Sequence, residues 1–388
     1  MFNKQFLSTI LALGFRPFFI FAGLSAMAFV LPWRLIEVPW LLEKTAFSSG
    51  MFWHGHEMLF GFSAALIVGF VSTASHHWSG IRGIHSGRLL VLVILWMICR
   101  IAAATHLGFS LVSSLVFWFF VCWFLFPYLI PKIRQRNTKI WVFIALLGLS
   151  DVAFQLSFLN SYGKGVTMAT SLARLIILGI IFVLSDRVFA FFKEKALGAP
   201  VERCSQVENQ IFAFIYFIFS VLEILNQLEG ASIAAFCMGT LVIYRWVKWK
   251  GWEAFAHPIL SILFVGYFWI GVCLLWMGID PWTFQVRNDV WHGLMLGSVG
   301  IIGIGMMSRV SLGHTGRPIK ASKLMVLGYI SVILATIVRS FAAKIYITQS
   351  KIIGGQQISA FFWVLAFAIF LWVYLPILVR PRVDGQEV

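Results

Sequence analysis

The apolar stretch MFWHGHEMLFGFSAALIVGFVSTAS, residues 51–75, carries two histidines and a glutamate near its start and no charged residue after them. A run of about 20 apolar residues is long enough to cross the hydrocarbon core of a bilayer as an α-helix. The stretch therefore predicts a membrane-spanning helix, with His54, His56 and Glu57 at the end where the helix begins.

Apolar runs of this length recur through the whole 388-residue chain, which is 60% hydrophobic and has a mean hydropathy of +0.89. Charged residues make up 12%, about half the share of a soluble domain. We expect an all-α integral membrane protein, a polytopic bundle that forms one transmembrane domain over residues 1–388. The predicted spans are residues 11–33, 50–75, 88–108, 110–130, 140–161, 166–192, 206–228, 230–249, 257–278, 288–308, 323–346 and 357–379.

The formal net charge of +15 is distributed over alternate loops, with basic clusters such as residues 132–139 and 309–323. The positive-inside rule then predicts that these loops and both termini are cytoplasmic, in a multi-pass protein whose surroundings are the lipid bilayer. The basic excess orients the chain, so no nucleic-acid partner is expected. On this topology His54, His56 and His292 lie at outer helix ends.

The five cysteines, an odd number, form no CxxC or CxxCH motif. Structural disulfides, iron–sulfur clusters and covalently attached haem are therefore not expected.

Neutral imidazole binds haem iron, copper and zinc, and the spacing alone does not choose among these metals. On a regular helix His54 and His56 point to nearly opposite sides, whereas His54 shares a face with Glu57 and Met58. We expect His56 and His292 to converge on one cofactor, because both lie about one turn inside their helices. His54 would face another partner.

Three arginines fall inside predicted spans, Arg100, Arg174 and Arg339, and charges at membrane depth are rarely unpaired. One hypothesis pairs them with buried acids, for example Arg174 with Asp151. The other has them bind haem propionates, which arginine does by bidentate hydrogen bonds. At least one should lie beside the outer histidines.

Placing His56 over His292 also aligns Gly61 with Gly297 and Gly69 with Gly305. Both helices would run in the same direction, so a parallel internal repeat is a further hypothesis.

Three motifs resemble those of the NnrS family, bacterial proteins of nitric-oxide metabolism: LGFRPFF at 13–19, WHGHEMLFGFSAALIVGF at 53–70 and HGLMLGSVGIIGIGMMSRVSLGHTGRP at 292–318. The resemblance implies an inner-membrane protein with non-covalent haem b and copper, tied to denitrification or nitrosative stress. Positions that match the motifs are Arg16, His54, His56, Glu57, His292, Arg309, His314 and Arg317. The family element Asn-Trp-Thr-Gly is replaced by HHWSG, so His76 and His77 are poor candidates for a shared metal ligand.

The first functional hypothesis is a haem protein that binds nitric oxide and supports its detoxification, as an oxidoreductase with an unidentified electron donor. His56 and His292 would bind iron, and His54 and Glu57 would lie near a second metal or on a proton path. His314 is a further metal candidate. The second hypothesis is a transporter of a metal–nitrosyl species. The third is a protein that handles haem or copper for other enzymes.

Overall fold

The computed structural model describes residues 4–36, 39–130, 135–279, 284–341 and 354–385. These residues form helices and no β-strand, and twelve of the helices are long and apolar enough to cross a membrane. They are α1 (Phe15–Leu35), α2 (Gly50–Ser79), α3 (Ser86–Ala103), α4 (Leu107–Leu129), α5 (Asn137–Leu159), α6 (Gly163–Leu197), α7 (Gln206–Ile224), α8 (Leu228–Lys248), α9 (Pro258–Ile279), α10 (Arg287–Gly313), α11 (Lys323–Ser340) and α12 (Gly355–Leu378). The predicted all-α polytopic bundle of twelve spans is confirmed.

Differences from the predicted spans lie at helix ends. Helix α2 continues to Ser79 and α10 to Gly313, past the last residue of each apolar run. The turn between α3 and α4 falls at residues 104–106, where the His106 ring accepts a hydrogen bond from the Phe109 amide as the helix cap. The end predicted at residue 346 lies outside the described residues.

The helices group into two compact units. Unit 1 holds the described parts of Met1–Ile177, Met307–Ile319 and Phe367–Val388, and unit 2 those of Leu178–Met306 and Lys320–Ala366. Helices α1 to α5 belong to unit 1, and α7, α8, α9 and α11 to unit 2. The chain passes between the units within α6, α10 and α12. The single transmembrane domain over residues 1–388 stays a prediction.

In unit 1, α2 is the buried helix against which its neighbours pack. Small residues on its surface allow this close approach, as is usual between membrane helices. A Cβ added at Gly69 would lie 2.7 Å from Cβ of Phe18 on α1, and one at Gly61 would lie 2.7 Å from Nη1 of Arg100 on α3. The second contact brings a cation to the middle of an apolar helix.

In unit 2 the closest packing joins α8 to α9. A Cβ added at Gly239 would lie 2.7 Å from the backbone nitrogen of Leu275 and 2.9 Å from the carbonyl oxygen of Gly271. The two backbones therefore touch at this point, and no side chain fits between them.

Candidate functional site

Helix α2 changes its geometry where its ionisable residues lie. Residues Gly50–His56 are α-helical, Glu57–Phe62 form a π-helical segment, and Ser63–Ser79 are α-helical again. Short π-segments inside α-helices occur frequently at functional sites, because the wider turn changes the direction of the side chains around it. Here the change begins at Glu57, directly after His56.

His56 is fully buried, and both of its ring nitrogens contact carboxylates. Nδ1 lies 2.9 Å from Oε1 of Glu57, and Nε2 lies 2.9 Å from Oδ1 of Asp151 on α5. The imidazole thus joins two acidic side chains of unit 1 that come from different helices.

Two cationic and two acidic side chains complete this arrangement, which we call the unit 1 network: His56, Glu57, Arg100 and Asp151. Arg100 Nη1 donates to Oε1 of Glu57 at 2.5 Å. The four side chains carry a net charge of zero when His56 is protonated and both acids are ionised. Neutrality matters here because an unbalanced charge inside an apolar bundle is costly.

Asp151 has two further donors in unit 1. The indole nitrogen of Trp118 donates to Oδ2 at 2.9 Å, and Gln155 Nε2 donates to Oδ1 at 2.7 Å. Asp151 is 1% exposed and Gln155 is fully buried. Three side chains in all therefore satisfy the oxygen atoms of this buried acid.

His54 and His56 face different partners, as the sequence predicted. Nδ1 of His54 lies 3.0 Å from the carbonyl oxygen of Phe29, and its ring stacks on Trp33. The expected grouping of Glu57 with His54 differs from the structure, in which Glu57 contacts His56. The prediction compared residues three and four apart on a helix face and did not consider a side-chain contact between sequence neighbours.

His292 lies in unit 2, on α10, and a second π-segment, Leu296–Ile302, begins four residues after it. Its Nδ1 lies 2.8 Å from the carbonyl oxygen of Asn288, one turn earlier. A carbonyl only accepts hydrogen bonds, so Nδ1 carries a proton, and in the neutral ring the lone pair is on Nε2. Because His56 and His292 belong to different units, their convergence stays a prediction.

Buried ion pairs surround the start of α10. Arg287 pairs with Glu223 of α7, which also accepts a hydrogen bond from the Trp291 indole at 2.9 Å. Arg339 of α11 donates to Oδ1 of Asp289 at 2.6 Å. Unit 2, like unit 1, thus neutralises its buried charges between helices.

The three predicted arginines have different surroundings. Arg100 lies beside His56 through their shared contact with Glu57, as expected for at least one of them. Arg339 contacts Asp289, three residues before His292, and Arg174 donates to Ser171 Oγ on its own helix at 2.9 Å. Binding of propionates by any of them stays a prediction.

The remaining motif residues lie at the other end of unit 1. Arg16 donates from Nη1 to the carbonyl oxygens of Leu378 and Arg380, at 2.6 and 2.7 Å. Beyond α10 the chain turns at Gly316, whose φ of 72° is left-handed, and the amide of Arg317 bonds to the carbonyl of Leu312 at 3.0 Å. This is a glycine-terminated helix end.

His314 packs between two rings at this end, with centroids 5.6 Å from Phe15 and 5.4 Å from His77. Burial, together with the neighbouring His77 and Arg382, lowers the pKa of His314 to about 4. Burial also lowers the pKa of the Arg317 guanidinium, and Arg380 adds to this effect. Arg309 is buried, at 5% exposure. The contact between His77 and His314 was not foreseen, since HHWSG was taken only as a departure from the family pattern.

The described residues contain no group of three or more His, Cys, Asp or Glu side chains placed to hold a metal ion. A haem iron needs only one or two imidazoles. His292 fits such a role, because its tautomer places the lone pair on Nε2. His56 does not fit in this geometry, since a metal would have to displace Glu57 or Asp151 from one of its nitrogens.

Sequence reasoning named Asp151 and Glu223 only as acidic candidates and missed Trp118, Gln155 and Asp289. The stretch RNDVWHG, residues 287–293, held a signal for Asp289, because this acid lies within one turn of His292. Trp118 and Gln155 had no comparable signal, since their role depends on which helices are neighbours.

A model of the NnrS protein family matches residues 9–382, nearly the whole chain. A comparison with curated proteins found no match.

Proposed function

The chain belongs to the NnrS family, and from that premise we propose that it is a haem-containing membrane protein that binds nitric oxide and supports its metabolism. Family membership supports a nitric-oxide-related membrane protein, and twelve apolar helices support the multi-pass location. The haem b, its ligand and the reaction are our proposal.

The observation that carries the haem proposal is the geometry of His292. Its Nδ1 proton is directed to the Asn288 carbonyl at 2.8 Å, which fixes the ring and leaves the lone pair on Nε2. Metal-binding histidines commonly have this arrangement, in which the other ring nitrogen donates to a carbonyl or carboxylate. When bound, a haem with one protein ligand supplies an open position for a diatomic gas.

Two features of the chain around His292 are consistent with a cofactor site. The π-segment Leu296–Ile302 begins within about one turn of the histidine. Arg339 is held by Asp289, three residues before His292, so a guanidinium lies close to this part of α10. Arginine is suited to bind propionate groups. We propose that Arg339, rather than Arg100 or Arg174, binds a haem propionate.

We propose an oxidoreductase-type activity on nitric oxide, with an electron donor still to be identified. Support comes from the unit 1 network, where ionisable side chains are buried inside apolar helices, a placement that usually marks function in membrane proteins. Copper stays a prediction.

The experiment is an absorption spectrum of the purified protein, recorded anaerobically after reduction, before and after addition of nitric oxide. We expect a Soret band that shifts on addition. The His292→Ala variant should lose or alter the band, whereas His257→Ala, which removes an exposed histidine of the same unit, should keep it. Wild-type protein without a Soret band after growth with added haem precursor would overturn the proposal.

A transporter remains the second candidate, favoured by the two π-interrupted helices. Transporters bind substrates and ions where helices lose their regular geometry near the middle of the membrane. Helices α2 and α10 both show such interruptions, at Glu57–Phe62 and Leu296–Ile302. Uptake of a dinitrosyl–iron complex into protein-containing liposomes, absent from empty ones, would favour this candidate over the haem protein.

For location we infer the bacterial inner membrane, with both termini in the cytoplasm, because the basic loops alternate along the chain. Reporter fusions at residue 136 and at the C-terminus should both report a cytoplasmic position. A periplasmic signal from either fusion would contradict this topology, and the helix ends assigned to the outer side would have to be assigned again.

A further inference from the structure

His56 is the one side chain of the unit 1 network that contacts both acids. Ionised carboxylates only accept hydrogen bonds, so a contact from each ring nitrogen to a carboxylate oxygen requires a proton on each nitrogen or on the acid opposite it. Arg100 is always charged. With neutral His56 and both acids ionised, the unit 1 network has a net charge of −1, and one additional proton makes it neutral. That proton has three positions: His56, Glu57 or Asp151.

These three positions are equivalent in charge. Moving the proton from Asp151 to Nε2, while the Nδ1 proton passes to Glu57, changes no net charge and breaks no heavy-atom contact. Such a transfer avoids the cost of creating an unbalanced charge in an apolar interior. An imidazole between two carboxylates therefore accepts a proton at one nitrogen and releases one from the other.

The polar side chains of unit 1 continue from Asp151 toward one end of the unit. Gln155 Nε2 donates to Asp151 and also to Ser114 Oγ, at 2.7 and 2.9 Å. Ser110 lies one turn from Ser114, close to the start of α4, and Gln155 lies one turn from the end of α5. All three side chains are at most 1% exposed.

Two buried atoms in this row have no hydrogen-bond partner among the described residues: Oε1 of Gln155 and Oγ of Ser110. Buried polar atoms are nearly always satisfied by protein or by ordered water, and buried water occurs where several polar groups surround a site. Both atoms lie between the unit 1 network and the nearby helix ends. They are suited to bind water on a path between the two.

We propose that Glu57, His56 and Asp151 form a proton relay, and that Gln155, Ser114 and Ser110 order the water through which protons reach it from the start of α4. The transfer starts with both acids ionised and with neutral His56 protonated on Nδ1. A hydronium proton of the ordered water binds Asp151 and passes to Nε2, which gives doubly protonated His56 as the intermediate. The Nδ1 proton then passes to Glu57, so Glu57 ends protonated, Asp151 ionised and His56 neutral with its proton on Nε2. No electron moves in these steps. In this assignment His56 carries protons and does not bind iron, and the relay does not depend on haem at His292.

The first test is the protonation state of His56 in the full chain. Protein containing ¹⁵N-histidine is reconstituted into liposomes and studied by solid-state NMR about two pH units above the ordinary histidine pKa of about 6.5. We expect one imidazole with both nitrogens protonated, and we expect His56→Gln to remove this signal. If that variant does not fold, the double variant His56→Gln/Asp151→Asn, whose network again has zero net charge, takes its place.

The second test addresses the water path, by the rate at which the His56 N–H groups exchange after transfer to deuterated buffer. Ser110→Ala and Gln155→Met should each slow this exchange by tenfold or more. Ser185→Ala is the control, because Ser185 is also buried but donates to the Ile181 carbonyl of its own helix, in unit 2. A His56 ring protonated on one nitrogen only, together with infrared carboxyl bands that show Glu57 and Asp151 both ionised, would overturn the relay, because the extra proton would be absent. Wild-type exchange rates in both path variants would overturn the path.

Discussion

The imidazole of His56 and the carboxylate of Asp151 lie 95 residues apart in the chain and meet at 2.9 Å, Nε2 to Oδ1, inside unit 1. The contact joins α2 to α5 and lies between two further charged groups, since Glu57 holds the other ring nitrogen and Arg100 holds Glu57. The four charges balance in a region of apolar helices. Each side chain therefore depends on the others for its charge state, and changing one should alter how the rest titrate.

Arg100→Met should destabilise the protein, because it leaves one negative charge too many in the unit 1 network. Breaking a buried pair by removing one partner costs about 3–5 kcal/mol. The loss should shrink as the pH falls, since one proton taken up by Glu57 or Asp151 restores neutrality. Thermal unfolding in detergent over a range of pH measures both effects.

Arg203→Met is the control for this experiment, because Arg203 forms its ion pair with Glu194 on the surface, where its side chain is 55% exposed. Surface ion pairs contribute little, so its melting temperature should stay close to that of the wild type at every pH. If Arg100→Met lowers the melting temperature by the same amount at every pH, the unit 1 network does not share a proton among its side chains.

Gly239→Ala should destabilise unit 2 by about 1–3 kcal/mol, the usual cost of forcing extra volume into a packed interior. The new Cβ would lie 2.7 Å from a backbone nitrogen of α9, which is too close for a side chain to be accommodated by rotation. Gly87→Ala in α3 is the matched control, since a Cβ there has nothing within 4 Å. Equal melting temperatures for the two variants would show that α8 and α9 are not in backbone contact.

The sequence was sufficient for the helices and for part of the site. Each span is a long apolar run, and hydropathy identifies such runs without tertiary information. At least one of Arg100, Arg174 and Arg339 was expected beside the outer histidines, because the depth of each in its span could be counted from the helix ends, and Arg100 meets this expectation. The different partners of His54 and His56 followed from helical geometry.

The contacts that define the unit 1 network were not predictable in the same way. Asp151 meets His56 only because α5 packs beside α2, and hydropathy does not order helices in space. Glu57 was assigned to the face of His54 on the assumption of a regular helix. The contact with His56 joins sequence neighbours and depends on how the two side chains turn, which the residue pattern does not show.

Arg16→Met should loosen the C-terminal segment of unit 1. Arg16 holds the carbonyls of Leu378 and Arg380, and the Val383 amide then bonds to the Thr315 carbonyl at 3.2 Å. Hydrogen–deuterium exchange by mass spectrometry should become at least tenfold faster in residues 379–385 and stay unchanged in α7. Equal exchange of the segment in variant and wild type would mean that Arg16 does not hold it.

Stability should fall in acid through His314. Its folded pKa of about 4 lies below the unfolded value of about 6.5, so the unfolded chain binds a proton first. The stability that neutral His314 provides is complete above pH 6.5 or so, declines as the pH falls, and is lost by about pH 4. The groups facing it are His76, His77, Arg16 and Arg382, and each disfavours its protonation.

His314→Gln removes this titration, so the difference in melting temperature between wild type and variant should narrow between about pH 6.5 and 4. A constant difference across this range would mean that His314 titrates normally in the folded protein.

The most direct test compares haem content in two purified variants, His292→Ala and His56→Gln, under the same expression and detergent conditions. The account predicts that His292→Ala loses the Soret band and that His56→Gln retains it with an unshifted maximum, because His292 holds the iron and His56 carries protons. Loss of the band in His56→Gln, with a wild-type spectrum in His292→Ala, would contradict both assignments.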